Sequence, residues 1–192
     1  MTAPRPATAP RPAVTGVPAA GHGPGQVRVV LALGSNLGSR LANLQAGIDA
    51  LCAAPGLART AVSPVYETAP VGGPPQPDFL NAVLTAVTGE PAGSLLDRCQ
   101  AAEAARQRVR GETWGPRTLD VDIVMYGDLV CSGPRLTVPH PRAHERAFVL
   151  APWLDIEPGA RIPGRGPVAA LLARAGRDGV RRVPGTGLSV PR

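Results

Sequence analysis

Residues 27–33, VRVVLAL, form an apolar run in which Arg28 is the one charged residue. A strand with one solvated face alternates apolar and polar side chains, so a continuous run is typical of a strand that lies inside a sheet. We therefore predict a central β-strand here, with the other strands of the chain arranged around it.

The segments after this strand predict two helices and three further strand regions. In chain order they are a helix from the N-cap Ser39 to about residue 53, β-like residues 58–68 broken by Pro64, a strand at 79–87, a helix starting at Pro91 and a strand at 119–126. APVGGPPQPD, residues 69–78, contains too much proline and glycine for regular structure and is predicted to be a loop.

This order, β-α-β-β-α-β, predicts an α+β fold: a ferredoxin-like sandwich with an antiparallel sheet and helices on one face. A hairpin near residues 127–128 and a helical region between 144 and about 175 would be C-terminal additions to that plan. On the second helix we expect Gln100 and Glu103 to lie together on a face other than the inward one.

The two ends of the chain differ from the middle in composition. Residues 1–26 are rich in proline and alanine and are predicted to be a disordered tail. Residues 27–180 are predicted to be a single domain, as the length of 192 residues also suggests. Residues 181–192 are expected to be a frayed C-terminus.

Charge and composition limit the ligands. Every basic residue is arginine, so a Walker A phosphate loop, which needs its lysine, is excluded. The net charge of +6 suits an anionic ligand but does not choose between a nucleotide and a nucleic acid.

The three cysteines, Cys52, Cys99 and Cys131, lie far apart and predict neither a disulfide framework nor a zinc site. The same cysteine pattern makes a reducing, cytoplasmic setting the expectation. The N-terminus lacks a continuous apolar h-region, so we expect no signal peptide. We expect no membrane partner, because no apolar run approaches the roughly 20 residues that span a bilayer.

Asp120 and Asp122 lie two apart in the predicted strand LDVDIVMY, so their side chains should point to one face about 7 Å apart. Two carboxylates at that spacing repel each other, and a divalent cation such as Mg²⁺ would relieve the repulsion. The alternative is an ordinary solvated strand face, on which alternating aspartates mean nothing further.

Three arginines accompany this pair: Arg108 and Arg110 in the preceding loop, and Arg117 where the strand begins. Guanidinium groups for phosphate oxygens, together with carboxylates for a bridging metal, are what a polyphosphate requires. Trp114 could stack on an aromatic ring or could simply anchor the loop. We interpret the region as a phosphate and metal site.

The run RVRGETWGPRTLDVDI, followed by LTVPHPRAHERAF, resembles the signature of the 6-hydroxymethyl-7,8-dihydropterin pyrophosphokinase family. The resemblance extends over roughly residues 27–158 and includes GSNLG and PDFLN. It implies the same fold and transfer of a pyrophosphoryl group from ATP to the hydroxymethyl oxygen of a reduced pterin, with AMP released, as a step of folate biosynthesis. It further implies two Mg²⁺ ions. We also expect a monomer that binds no nucleic acid.

The resemblance also implies a role for each matching position. Asp120 and Asp122 would hold the metal ions, while Arg108 and Arg117 would be catalytic. The implied ATP-binding residues are Gln100, Glu103, Arg110, Arg135, Thr137, His140 and Arg146. The implied pterin-binding residues are Thr68, Val71, Phe79, Asn81, Trp114 and Phe148. Taken singly, the charged positions could belong to solvated surfaces, and Phe79 and Phe148 could be core residues.

Three other functions remain open at the level of sequence. An RNA-binding module can share this fold, although the RNP1 pattern is absent. Another magnesium-dependent nucleotidyl transferase would release pyrophosphate instead of AMP. The third is a catalytically inactive relative. Both aspartates, Arg108 and Arg117 are present, which argues against this alternative.

Overall fold

The structure is a computed structural model that describes residues 25–106 and 115–189. Its helices are α1 (Arg40–Ala53), α2 (Ala92–Ala105), α3 (Ala147–Ile156) and α4 (Val168–Ala175), with a 3₁₀ turn at Ala143–Glu145. Its strands are β1 (Val27–Ser35), β2 (Leu57–Val62), β3 (Tyr66–Thr68), β4 (Phe79–Thr88), β5 (Asp120–Tyr126), β6 (Cys131–Ser132), β7 (Thr137–Val138), β8 (Arg161–Ile162), β9 (Gly166–Pro167) and β10 (Val180–Arg182).

The main sheet has the strand order β10-β3-β4-β1-β5, and β2 pairs with β4 beside β3. Every pairing in it is antiparallel. The prediction of a central first strand is confirmed, since β1 lies between β4 and β5. The break at Pro64 is also confirmed: it separates β2 from β3, and the β2–β4 pairing has an irregularity between Arg59 and Ala61.

Both faces of β1 are buried, which explains its continuous apolar sequence. Val29, Leu31 and Leu33 pack in one cluster with residues of α1 and α2. Val30 packs on the opposite face in a cluster with residues of α3 and α4, where Trp153 is completely buried. The expectation of helices on one face therefore holds for α1 and α2 only, because the C-terminal addition covers the other face.

The C-terminal segment is held against the body of the protein. β10 pairs with β3, and the backbone N–H of Val183 donates to the carbonyl of Val65 at 2.9 Å. Farther on, the Gln45 side chain bonds the backbone of Ser189 in both directions. Residues 181–189, which we expected to fray, are thus fixed by strand pairing and by α1.

Two further expectations concern the ends of elements and of the chain. Ser39 occupies the N-cap position of α1 as predicted, but it makes no side-chain capping bond. Pro91, predicted to start the second helix, is the N-cap of α2, which begins at Ala92. The predicted disorder of the N-terminal tail falls mostly on residues 1–24, which lie outside the described residues. Within residues 25–106 and 115–189, no helix is both long and apolar enough to cross a bilayer.

Candidate active site

A pocket opens at the end of the sheet where β1 and β3 finish and β4 and β5 begin. It lies on the face that α3 and α4 cover elsewhere. Along β1 and β5 that face changes from the buried Val30 and Val124 to Ala32, Gly34 and the two aspartates. Small and polar residues therefore replace the apolar ones at this end, and the sheet itself forms the pocket floor.

Gly34 keeps this floor open. A Cβ atom at this position would lie 3.2 Å from Oδ1 of Asn81 and 3.6 Å from Cδ1 of Phe79. The first distance is closer than side chains ordinarily tolerate, so glycine leaves space beside two residues predicted to contact the pterin.

Asp120 and Asp122 both line the pocket. Their partners across the strand pair are Gly34 and Ala32, so the predicted common face is confirmed. Nη1 of Arg117 donates to Asp120 Oδ1 at 2.6 Å, and Nη1 of Arg146 donates to Asp122 Oδ2 at 3.2 Å. Burial raises the pKa of Asp122, and the charge of Asp120 raises it further.

This donor set fits Mg²⁺. Carboxylate oxygens are the ligands that the ion prefers, and it commonly takes one or two from the protein and the rest from phosphates and water. The described residues contain no cluster of three or more His, Cys, Asp or Glu side chains that could enclose a metal by themselves. The pair is therefore suited to an ion that arrives with a polyphosphate.

His140 lies next to this pair, with Nε2 3.7 Å from Oδ2 of Asp122. Burial lowers its pKa, which favours the neutral ring. Because the backbone N–H of Arg142 donates to Nδ1 at 3.2 Å, the hydrogen of the neutral ring belongs on Nε2. That N–H lies on the side of the ring nearest Asp122, although His140 is not one of the residues that line the pocket.

Every predicted pterin residue that the structure describes lines the pocket. They are Thr68, Val71, Phe79, Asn81 and Phe148. Asn81 is buried, and its Nδ2 donates to the Thr68 hydroxyl at 2.9 Å. Val71 is 62% exposed at the rim. Trp114 lies outside the described residues.

The predicted ATP-binding residues are more dispersed. Arg146 lines the pocket, with its guanidinium 5.5 Å from the centre of the Phe148 ring. Arg135, on the β6–β7 hairpin, bonds Asp97 of α2 at 2.6 Å, one helical turn before the exposed Gln100. Thr137 begins β7 on the same hairpin. Arg108 and Arg110 lie outside the described residues.

The prediction that Glu103 shares a helix face with Gln100 is wrong. It is 7% exposed, and its Oε1 accepts a bond from the backbone N–H of Val121 at 2.9 Å. Gln100 is exposed, so the two side chains do not share a face. Glu103 instead links α2 to β5 at the residue between the two aspartates.

Three further residues at the site had no predicted role. Arg142 and Gln76 line the pocket, and the buried Asn36 bonds two of its lining residues, Gln76 and Arg117. Each lies in or next to a quoted motif: Asn36 in GSNLG, Gln76 just before PDFLN, and Arg142 in PHPRAHER. The motifs were therefore a signal for these positions.

Comparison with known proteins gives a consistent result. A family model described as 7,8-dihydro-6-hydroxymethylpterin-pyrophosphokinase (HPPK) matches residues 30–158. The 2-amino-4-hydroxy-6-hydroxymethyldihydropteridine pyrophosphokinase of Pseudomonas aeruginosa is 43% identical over 158 residues, which cover 82% of this chain and 98% of the relative. The enzyme of the same name from Mycobacterium tuberculosis is 47% identical over 171 residues, covering 80% and 88%.

Among solved structures, a crystal structure of Plasmodium falciparum HPPK-DHPS A437G with SDX-DHP matches with a TM-score of 0.61 at 14% identity. The match covers 82% of this chain and 49% of that chain, so the present protein spans about half its length. At this identity the likeness concerns the fold.

Proposed function

The chain belongs to the 7,8-dihydro-6-hydroxymethylpterin-pyrophosphokinase family, and we propose that the pocket at the end of its sheet is where the family's reaction takes place. The protein is a pyrophosphokinase that uses ATP to pyrophosphorylate hydroxymethyldihydropterin in folate biosynthesis. One observation supports this location: the predicted pterin residues that the structure describes and the two aspartates line the same pocket.

The reaction requires two groups to meet. The hydroxymethyl oxygen bonds to the β-phosphorus of ATP, the bond from that phosphorus to the α,β-bridging oxygen breaks, the oxygen leaves with AMP, and the hydroxyl proton is released. Catalysis of such a transfer is mostly positioning and stabilisation of charge. The pocket must therefore hold a flat heterocycle and a triphosphate side by side.

We assign the pterin to the side of the pocket formed by β3 and β4. The Asn81 amide, held by Thr68, offers hydrogen-bonding atoms to a polar ring edge. Phe79 and Phe148, both half-buried at the pocket wall, offer apolar faces to the ring. Val71 at the rim and Trp114 complete the proposed set.

We assign the phosphates to the side formed by Arg117, Asp120 and Asp122. Two Mg²⁺ ions bound by the carboxylates would neutralise phosphate charge. Arg117 and Arg146 now pair with these carboxylates, so both guanidinium groups already face the space where phosphate oxygens would lie. Arg108 and Arg110 are proposed to extend this group, and His140 to donate from Nε2.

The adenosine end is proposed to lie along α2 and the β6–β7 hairpin. The Arg135–Asp97 bond brings the hairpin beside the helix, next to Gln100 and Thr137. Glu103, buried against Val121, is proposed to act on this region by fixing the start of β5 rather than by direct contact.

Several broader assignments accompany this function. The strand order β5-β1-β4-β3 supports a ferredoxin-like plan for the core, with α3 and α4 as the addition. We propose that residues 27–180 form the functional domain, and that the protein is a cytoplasmic monomer whose partners are ATP and the reduced pterin rather than nucleic acid.

The direct test identifies the nucleotide product by chromatography after incubation with Mg-ATP and 6-hydroxymethyl-7,8-dihydropterin. We expect AMP, and only when the pterin is present. Asp122→Ala should lower the turnover by about two orders of magnitude or more, because a metal ligand is lost. Asp128→Asn is the control, since Asp128 is exposed in the turn after β5. ADP or pyrophosphate as the product would assign the pocket to another reaction.

A further inference from the structure

Asn36, in the turn between β1 and α1, is 2% exposed and bonds two separate segments of the site. Its Nδ2 donates to Oε1 of Gln76 at 2.9 Å and to the carbonyl of Pro77 at 3.0 Å. Its Oδ1 accepts from the backbone N–H of Arg117 at 2.7 Å. Both ends of one buried amide are thus used, one for each segment.

The two segments carry different parts of the proposed reaction. Gln76 and Pro77 lie near the end of the loop that contains Val71 and leads into Phe79 and Asn81 of β4. Arg117 precedes the two aspartates of β5 and bonds one of them. Asn36 therefore connects the proposed pterin side of the pocket with the proposed phosphate side.

The backbone of the same turn strengthens only one of these connections. The N–H groups of Asn36 and Leu37 both donate to the Arg117 carbonyl, at 3.0 and 3.2 Å. The phosphate side is therefore attached to the turn by backbone as well as side chain, whereas Asn36 holds the Gln76–Pro77 segment through its side-chain amide. A change at Asn36 should consequently loosen the pterin side more than the phosphate side.

We propose that Asn36 is a positioning residue for the reaction, which keeps the loop of the pterin subsite in register with the phosphate-binding segment. The proposal rests on the proposed function of the pocket. An amide is suited to this task because it donates and accepts at once. The displacement of reacting groups by about 1 Å can lower the rate of a positioned reaction by about two orders of magnitude.

Two variants separate this role from simple stability. Asn36→Ala removes both side-chain connections. Asn36→Asp keeps an acceptor for the Arg117 N–H but has no hydrogen for the Pro77 carbonyl, and no rotation of Gln76 can replace that bond. The second variant also serves if the first does not fold.

The matched control is Thr88→Val. Thr88 is 1% exposed at the opposite end of β4, where its hydroxyl donates to the Gly56 carbonyl at 2.6 Å and accepts from the Glu90 N–H at 3.0 Å. Like Asn36, it is a buried polar residue that joins two loops, but these loops are remote from the pocket.

The measurements are Tm, kcat, and KM for each substrate, made at a temperature where all variants are folded. We expect Asn36→Ala to lower kcat about tenfold or more and Thr88→Val to leave it within about twofold. Asn36→Asp should raise KM for the pterin at least about fivefold while KM for ATP stays within about twofold.

Equal kinetic losses in Asn36→Ala and Thr88→Val, or an equal rise in both KM values in Asn36→Asp, would overturn the positioning role. The product formed by the wild-type protein distinguishes failure of this inference from failure of the proposed function. If it forms AMP with the pterin and the variants behave like the control, the inference alone fails. If the wild type forms no AMP, the proposed function fails and the inference with it.

Discussion

At the scale of single residues, Gly34 is the position where added volume should act most selectively. The new methyl group of Gly34→Ala would press on Oδ1 of Asn81 and come into contact with the Phe79 ring. We expect KM for the pterin to rise about fivefold or more with a smaller effect on KM for ATP, since uniform binding of one substrate is lost. Steady-state kinetics with each substrate varied in turn measures both values.

Gly93→Ala provides the comparison for this change. Position 93 lies in the first turn of α2, and no atom is near enough to meet an added Cβ. The substitution should leave both KM values unchanged and raise the free energy of unfolding by up to about 1 kcal/mol through helix propensity. Similar pterin KM values in the two variants would mean that Gly34 does not border the pterin.

Cys99 should be chemically inert in the folded protein. It is completely buried, and that burial raises the pKa of its thiol to about 12. Because the thiolate is the reactive form, only about one molecule in ten thousand would present it at pH 8 with that pKa. We expect iodoacetamide at pH 8 to modify Cys99 in urea but not in buffer.

The same shift gives a pH dependence of stability. A thiol whose folded pKa is raised contributes its full stabilisation below the unfolded pKa of about 8.5, and this contribution is lost as the pH rises towards the folded pKa.

Peptide mass spectrometry after alkylation measures the protection of Cys99 directly, with the half-buried Cys131 as the reference. Modification of Cys99 at the rate of Cys131 in buffer would contradict it.

The sequence predicted which side chains share a face where the residues follow the repeat of a strand. The alternation of a strand placed Asp120 and Asp122 on one face correctly. Glu103 was misplaced because it was grouped with Gln100, three residues before it. It also lies four residues after Cys99 on the buried face, and i, i+4 neighbours share a face on a helix. The sequence could not show which group donates a hydrogen bond to the Glu103 carboxylate. The donor is the Val121 N–H, and its position depends on how α2 packs on β5.

At the scale of secondary-structure elements, β10 protects the outer edge of β3, whose last residue leads into the 69–78 loop. Removal of residues 180–192 would leave the β3 backbone without this partner. We expect a fall in Tm of about 5 °C or more and a higher KM for the pterin. Thermal unfolding and steady-state kinetics measure the two effects.

A shorter truncation, of residues 183–192, tests whether the strand itself is responsible. It retains the β3–β10 pairing and the bond from Arg181 to Glu67 but loses the Val183–Val65 backbone bond and the Gln45–Ser189 bonds. We expect this variant to lose less Tm than the variant that lacks residues 180–192. An equal loss in the two proteins would assign the stabilisation to residues 183–189 instead.

Elements with strong apolar patterns were predicted from the sequence, and weak ones were not. The run before Gly34 identified the central strand. β10 was missed because VRR is short and polar, and its pairing depends on a strand more than a hundred positions earlier. The face that α3 and α4 cover was likewise undetermined, since an apolar helix can pack on any exposed sheet face.

At the scale of the whole molecule, the pocket joins distant parts of the chain: the end of β1, the 69–78 loop, the start of β5 and the start of α3. The motifs indicated residues that line this pocket, such as Asn81 and Asp120, because their polar side chains stand out in apolar strands. They could not predict that Asn36 lies between two loops, since that contact spans 40 residues on one side and 81 on the other.

A Mg²⁺ ion bound as proposed would link this assembled site to the stability of the entire domain. A ligand that binds only the folded state raises Tm, and the rise grows with its affinity. A non-hydrolysable ATP analogue should therefore raise Tm by several degrees more with Mg²⁺ than with EDTA, about 3 °C or more at saturating concentration. Asp122→Asn should remove this magnesium-dependent part, while Asp128→Asn should retain it. Differential scanning calorimetry of the three proteins measures the effect. An unchanged magnesium dependence in Asp122→Asn would show that the ion is held elsewhere, and the phosphate side of the pocket would have to be reassigned.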